Sequence, residues 1–116
     1  MNNMRQPDIM AEIYINKEEL GGRKVFSGYR PQHSIMINYE TSGEHEYICK
    51  DFIEPGESGI AYIRFITPEV YPKSLWIDRV IEIKEGSRII GNAKVLKIYN
   101  KILESENKEI QEYKKE

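Results

Sequence analysis

The sequence predicts an all-β fold of about six short antiparallel strands, and three observations support it. Apolar and polar residues alternate with the period of two that a half-buried strand requires. Clusters of Gly, Pro, Asn and Ser separate the alternating runs. No segment between the predicted strands has the pattern of a crossover helix. A closed antiparallel barrel or a sandwich satisfies these observations, and closure would leave no exposed strand edge.

The first half of the chain contains three predicted strands. The first covers residues 8–16, where every second side chain is Ile or Ala and would face the core. A loop over residues 17–24 follows, and the second strand, 33–39, is entered through the rigid turn that contains Pro31. We expect a polar turn around Ser42-Gly43, a third strand over 46–53 and a Pro-Gly turn within 54–59.

The second half continues the pattern, with predicted strands at 60–67, 76–83 and 89–99. In the first of these, Ala61, Ile63 and Phe65 fall on one face. Residues 85–88 predict a tight turn between the last two strands. Gly91, inside the last strand, indicates either a close approach of another backbone or a bend.

Residues 101–116 differ from the strands, with four Lys and five Glu among them. Leu103, Ile110 and Tyr113 are spaced by 7 and 3 residues, which fits one face of a helix. Glu104 and Lys108 have the spacing of a helical ion pair, but such a pair contributes only about 0.3 kcal/mol. A short amphipathic helix and a frayed end are both open. The predicted organisation is an N-terminal extension 1–7, a barrel 8–100 and a charged tail 101–116.

Size and composition restrict the classes of protein to consider. A chain of 116 residues and 13.6 kDa fits one domain, without room for a nucleotide-binding domain beside a barrel. Residues 1–8 lack the features of a secretory signal, and no stretch of about 18 apolar residues exists, so we expect a cytoplasmic protein without a membrane partner. The net charge of −2 denies the chain an overall positive field. We therefore expect no DNA partner, and any RNA contact requires a local basic patch.

Catalytic and metal-binding patterns are missing from the sequence. There is no GxxxxGK[ST] phosphate loop, and Ser58 does not lie in a GxSxG nucleophile elbow. His33 and His45 have no Cys at metal-ligand spacing and are interpreted as surface or strand histidines. Cys49 is the only cysteine, which excludes an internal disulfide, and it is interpreted as a packed thiol. We expect a protein that is not an enzyme and uses no metal or cofactor.

Several short motifs occur in a characteristic order. They are Gly21-Gly22-Arg23, then Phe26, the block Gly28-Tyr29-Arg30-Pro31-Gln32, the turn Pro55-Gly56, and the segment Glu85-Gly86-Ser87-Arg88-Ile89-Ile90-Gly91. Over residues 8–99 this order resembles the C-terminal domain, domain 3, of elongation factor Tu. The resemblance implies a six-stranded antiparallel closed β-barrel, in agreement with the number of strands predicted from the alternation.

The same resemblance implies an RNA-binding surface. In that family the barrel lies along the acceptor and T-stem backbone of aminoacyl-tRNA, and the matching positions here are Arg23, Gln32, Glu85 and Gly86. Lys24 stands where the family usually has a His. Arg and Lys beside a Gly-Gly loop can reach phosphates and 2′-hydroxyls, and Gly86 allows a backbone to come close. The resemblance therefore predicts a non-catalytic, translation-linked module that binds tRNA.

Two parts of the chain depart from the family's pattern. The segment between Arg23 and Tyr29 is shorter than usual, and the stretch after Gln32 is longer. A threonine contact of the family would then fall on Thr41 or be missing.

A second functional class is a protein-interaction module without RNA binding. Near-neutral charge, eight Tyr and Trp76 in a Pro-flanked loop favour it. Such a module would dock partners of elongation factor Tu or of a GTPase. Each feature also has a structural interpretation: Trp76 as a core residue at a strand end, the glycines as turn residues, and Arg23 with Lys24 as solvated loop charges.

Overall fold

The computed structural model describes residues 5–113, and its strands close into a barrel. The strands of this part of the chain are β1 Ile9–Ile15, β2 Val25–Phe26, β3 Gln32–Met36, β4 Tyr39–Tyr47, β5 Phe52–Ile53, β6 Ser58–Phe65, β7 Val80–Glu85 and β8 Arg88–Ile98. Six of them form the barrel in the order β1-β6-β4-β3-β7-β8, β8 pairs back onto β1, and every pairing is antiparallel. The predicted all-β class and six-stranded closed antiparallel barrel are confirmed.

The barrel interior is filled by side chains that alternate inward along each strand. Burying one isoleucine side chain stabilises the folded state by about 1.5–3 kcal/mol. The fully buried residues of β1 and β6 are Ile9, Ala11, Ile13, Ile15, Ala61, Ile63 and Phe65. The alternation predicted for segments 8–16 and 60–67 is confirmed.

Gly91 lies where β8 comes closest to β1. A Cβ atom at this position would lie 2.0 Å from the carbonyl oxygen of Tyr14 and 3.1 Å from the Cα atom of Ile15. Only glycine allows the two strands to pair at this separation. Of the two interpretations of Gly91, the close approach is confirmed, and so is the predicted tight turn after β7, since Glu85 pairs directly with Arg88.

The predicted turn at Ser42-Gly43 is wrong. Both residues lie inside β4, and the chain reverses earlier, around Asn38, whose φ of 64° lies in the left-handed region. Gly43 is required inside the strand because a Cβ atom there would lie 2.9 Å from the Cε1 atom of His33. This glycine makes room for a neighbouring imidazole ring and has no role in a turn.

The predicted strands 46–53 and 76–83 have the wrong limits. β4 ends at Tyr47, and β5 belongs to a separate two-stranded ribbon with β2. Between β4 and β5, Cys49 has a φ of 78° and is exposed, so the packed-thiol interpretation is wrong. β7 begins only at Val80, which leaves Trp76 half-buried in the preceding loop and not at the end of a strand.

The side chain of Arg79 connects β3 to the segment before β7 at the point where the two strands separate. These two strands pair at only two positions, Gln32 with Lys84 and His33 with Ile83. Beyond them, the buried guanidinium of Arg79 donates hydrogen bonds to three carbonyl oxygens, those of Ser34, Ile35 and Ser74. Burial lowers the pKa of Arg79 to about 10, so it stays charged at neutral pH. The charged side chain replaces the missing part of the β-ladder.

Of the two interpretations left open for the tail, the amphipathic helix is wrong. A single 3₁₀ turn, Lys101–Leu103, is followed by irregular, largely extended chain. The Ser105 N–H donates to the Leu75 carbonyl at 2.7 Å, and the Ile37 N–H donates to the Gln111 carbonyl at 2.8 Å. A helix this short is marginal in water, so pairing with the barrel's backbone is the better arrangement.

Asp8 ties the start of the first strand to the end of the last. Its buried carboxylate accepts hydrogen bonds from the Phe65 N–H at 2.7 Å and the Asn100 amide at 2.9 Å. Parts of the predicted extension and tail, residues 1–4 and 114–116, lie outside the described residues. Between residues 5 and 113, no helix is both long and apolar enough to cross a membrane.

Candidate nucleic-acid interface

The residues singled out from the sequence lie at one end of the barrel. We call it the loop end and define it as residues 16–32, 48–57 and 84–88. The antiparallel pairing brings these segments together, because β1, β4 and β7 finish at this end while β3, β6 and β8 begin there. All five predicted contact residues belong to it: Arg23, Lys24, Gln32, Glu85 and Gly86.

The loop after β1 turns at Gly21 and Gly22, whose φ angles of 58° and 79° are left-handed. The interpretation of this pair as turn residues is thereby supported. The turn is followed at once by Arg23 and Lys24, and both side chains are exposed. The Nζ atom of Lys24 lies 4.4 Å from the centroid of the Phe52 ring, a cation–π contact.

Glu85 and Gly86 form the tip of the β7–β8 hairpin. The Glu85 carboxylate accepts a hydrogen bond from the Tyr29 hydroxyl, with 2.5 Å between the oxygens. Burial and then this bond raise the pKa of Tyr29, while the positive charge of Arg23 acts in the opposite direction. Gly86 has a φ of 61° and open space where a Cβ atom would be.

Gln32, the first residue of β3, places a half-buried side chain on the outer wall of the barrel. It pairs with Lys84 of β7 and with Ser42 of β4, next to the hairpin that carries Glu85. Thr41 lies inside the barrel, and its hydroxyl is 2.9 Å from the hydroxyl of Tyr71. Thr41 cannot contact RNA from this position, so the family's threonine contact is missing here.

Ion pairs divide the cations of the loop end into two groups. The loop end contains seven Lys or Arg and six Asp or Glu, so its net charge is close to zero. Four cations form ion pairs with carboxylates: Arg30, Lys50, Lys84 and Arg88. Within residues 5–113, the loop-end cations that form no ion pair are Lys17, Arg23 and Lys24. The two cations predicted from the sequence, Arg23 and Lys24, thus have no carboxylate partner within residues 5–113.

A chain of polar side chains inside the barrel was not predicted. The Tyr47 hydroxyl is 3.1 Å from Nδ1 of His45, whose Nε2 is 2.9 Å from Nε2 of His33. Nδ1 of His33 is 3.3 Å from the Thr41 carbonyl oxygen. Because a carbonyl only accepts, His33 carries its proton on Nδ1, and His45 donates from Nε2 and accepts from Tyr47. Each ring nitrogen then has a partner while both histidines are neutral.

Burial lowers the pKa of both histidines, and that of His33 falls to about 4. His33 and His45 lie in strands, which confirms their interpretation as strand residues, but both are buried, so their interpretation as surface residues is wrong. Every second residue of β4 from Thr41 to Tyr47 faces inward, and none is aliphatic. The wrongly predicted turn at Ser42-Gly43 divided β4 in two, so its inward-facing polar residues were not recognised from the sequence. Among the described residues, no group of three His, Cys, Asp or Glu side chains is placed to hold a metal ion.

The fold and the surface define a closed β-barrel protein whose loop end carries three cations, Lys17, Arg23 and Lys24, that form no ion pair within residues 5–113. No family model matches the chain.

Proposed function

We propose that this protein is a non-catalytic, translation-linked binding module. It acts as a barrel like domain 3 of elongation factor Tu, in the cytoplasm, and its loop end contacts the acceptor and T-stem backbone of tRNA. The observation that carries the proposal is the exposure of Arg23 and Lys24, which form no ion pair within the described residues and follow a Gly-Gly turn beside the Glu85–Gly86 hairpin.

The chemistry of these groups suits an RNA backbone. Arg23 and Lys24 supply donors for phosphate oxygens, the Gln32 amide can donate or accept, and Glu85 offers a carboxylate oxygen to a 2′-hydroxyl. Gly86 leaves space for a sugar to come close. Because duplex RNA is recognised largely by shape and through such contacts, little sequence preference is expected. With only two unpaired predicted cations, the affinity at physiological salt is expected to be weak.

Fluorescence anisotropy with labelled aminoacylated and uncharged tRNA tests the proposal. If the protein contacts two phosphates, raising the salt concentration from roughly 50 to 200 mM should weaken binding about tenfold. The double variant Arg23→Gln/Lys24→Gln should bind more weakly and lose most of this salt dependence. A charge-matched control, Lys97→Gln/Lys101→Gln, removes two cations from the opposite end of the barrel and should bind like the unmodified protein.

Two results would refute the proposal. One is flat anisotropy at both salt concentrations with the protein at high concentration. The other is an equal loss of affinity in the two double variants, which would mean that only the net charge matters.

A protein-interaction module is the second candidate function. The observation that favours it is the exposure of large apolar side chains: Phe26, Ile66 and Val80 are each more than half exposed. The nearly balanced charge of the loop end also suits a protein partner better than a polyanion. Such a partner would be one that elongation factor Tu or another GTPase also uses. Flat anisotropy with tRNA, together with saturable binding to a purified partner of this kind, would favour this function.

A further inference from the structure

The β2–β5 ribbon carries two aromatic rings on its outer face at the loop end, an exposed Phe26 and a half-buried Phe52. One face of the ribbon carries Val25 and Ile53, which are buried against the barrel. The other face carries Phe26 and Phe52, which pair directly across the ribbon with 5.7 Å between their ring centroids. Phe26 is 56% exposed. An aromatic ring is thus held on a short β-ribbon with much of its surface uncovered.

Two lysines lie over the Phe52 ring. The Nζ atom of Lys24 lies 4.4 Å from the centroid of the Phe52 ring, and that of Lys50 lies 5.5 Å from the same centroid. Lys50 also forms an ion pair with Glu57 at 3.2 Å, and both side chains of that pair are more than 40% exposed. We call Lys24, Phe26, Lys50 and Phe52 the aromatic–basic platform.

We propose that the aromatic–basic platform binds an unpaired nucleotide of RNA. The base stacks on Phe26, and the adjoining phosphate contacts Lys24 and Lys50. Proteins that bind single strands combine a basic surface with aromatic side chains on which bases stack, and the platform has both within a few residues. A ligand that offered only a carboxylate would use the lysines and leave Phe26 uncovered. A nucleotide uses the ring and the cations together.

The chain itself connects the platform to the proposed duplex contact. Arg23 and Lys24 are consecutive, and Phe26 follows two residues later on β2. A duplex that touches Arg23 would therefore lead its unpaired end over Lys24 towards Phe26. The inference rests on the proposed RNA binding of the loop end and names the part of the RNA that this additional surface recognises.

The test compares the binding of three RNA ligands to the 116-residue protein. They are a short blunt duplex, the same duplex with a 3′ overhang of about four nucleotides, and the overhang strand alone. The overhang carries 2-aminopurine, whose fluorescence is quenched when it stacks on an aromatic ring. The overhang should tighten binding at least about fivefold, which corresponds to about 1 kcal/mol, and quench the probe.

Matched variants identify the surface responsible. Phe26→Leu should abolish both the gain in affinity and the quenching but leave the affinity for the blunt duplex unchanged. Lys50→Gln, which removes a platform cation that the proposed duplex contact does not use, should reduce the gain. Tyr99→Leu removes an exposed aromatic ring from the opposite end of the barrel and should keep both the gain and the quenching.

The possible failures are distinguishable. If the blunt duplex binds but the overhang adds no affinity and no quenching, the platform is refuted and the proposed duplex contact stands. If the single strand binds with quenching and the blunt duplex does not bind, the duplex contact is refuted and the platform stands. If neither ligand binds, both are refuted. A full gain in Phe26→Leu would also refute the platform.

Discussion

Acidification should unfold this protein through its buried histidine pair. In the folded state His33 and His45 are both fully buried and bonded to each other through their Nε2 atoms. A proton on either ring would place a charge in the barrel interior, where desolvation disfavours it. In the unfolded chain both rings are in water and accept protons near the ordinary histidine pKa of about 6.5.

The sign and size of the effect follow from the lowered pKa values. Because the folded pKa lies below the unfolded one, the histidine contribution to stability is fully present above about pH 6.5 and is lost as the pH falls. For His33 the pKa drops from 6.5 to about 4. That difference corresponds to a loss of about 3 kcal/mol by pH 4. Burial, and after it the neighbouring His33, also lowers the pKa of His45. His45 therefore contributes to the loss of stability with the same sign.

Urea denaturation at several pH values between about 7.5 and 4.5 measures this loss. Below about pH 6.5 the free energy of unfolding should fall as the pH is lowered, because unfolding then takes up as many as two protons. The slope should approach about 2.7 kcal/mol per pH unit. The double variant His33→Gln/His45→Gln keeps hydrogen-bonding groups but cannot titrate, and it reports the contribution of all other groups. If the unmodified protein and this variant show the same slope between about pH 6.5 and 5, the buried pair is not responsible and the reasoning is wrong.

Three substitutions test other features of the barrel by thermal or urea denaturation. Gly91→Ala places a methyl group against the Tyr14 carbonyl and should destabilise the fold by about 3 kcal/mol or more, whereas an unchanged melting temperature would contradict the close approach of β8 to β1. Arg79→Met leaves three carbonyls without their charged donor and should cost about 3 kcal/mol; a loss below about 1 kcal/mol would mean that water replaces the guanidinium. Asp8→Ala removes the acceptor of the Phe65 N–H and should cost about 2 kcal/mol, and a neutral result would show that the end of β6 is held by other contacts.

Local patterns were sufficient to predict the all-β class and several of its elements, whereas closure into a barrel was implied only by the family resemblance. The strict alternation of β1 and β6 depends only on the two-residue period of a strand, and each of these strands has one wholly apolar face. The hairpin at Glu85–Gly86 and the tight approach at Gly91 follow from glycine chemistry that a sequence displays directly. These features were predictable because their cause lies within a few consecutive residues.

Other features depend on which strand lies beside which. Gly43 looks like a turn residue in the sequence, but the pairing of β3 with β4 brings His33 against it and keeps it inside a strand. The apolar spacing of the tail matches a helix, yet backbone partners at Ile37 and Leu75 hold it extended. In both cases a long-range contact outweighs a local preference, because local preferences are worth only fractions of a kcal/mol per residue.

The same division applies to the candidate site. The motifs by themselves pointed to the Gly-Gly loop and the hairpin, and so to Arg23, Lys24, Glu85 and Gly86. Only the tertiary structure decided that Arg88 is neutralised by Glu19 while Arg23 and Lys24 form no ion pair within residues 5–113. It also decided that Phe26 faces solvent and that the two histidines meet inside the barrel. Charge neutralisation, exposure and burial depend on neighbours that are distant in the chain, and the sequence does not display those neighbours.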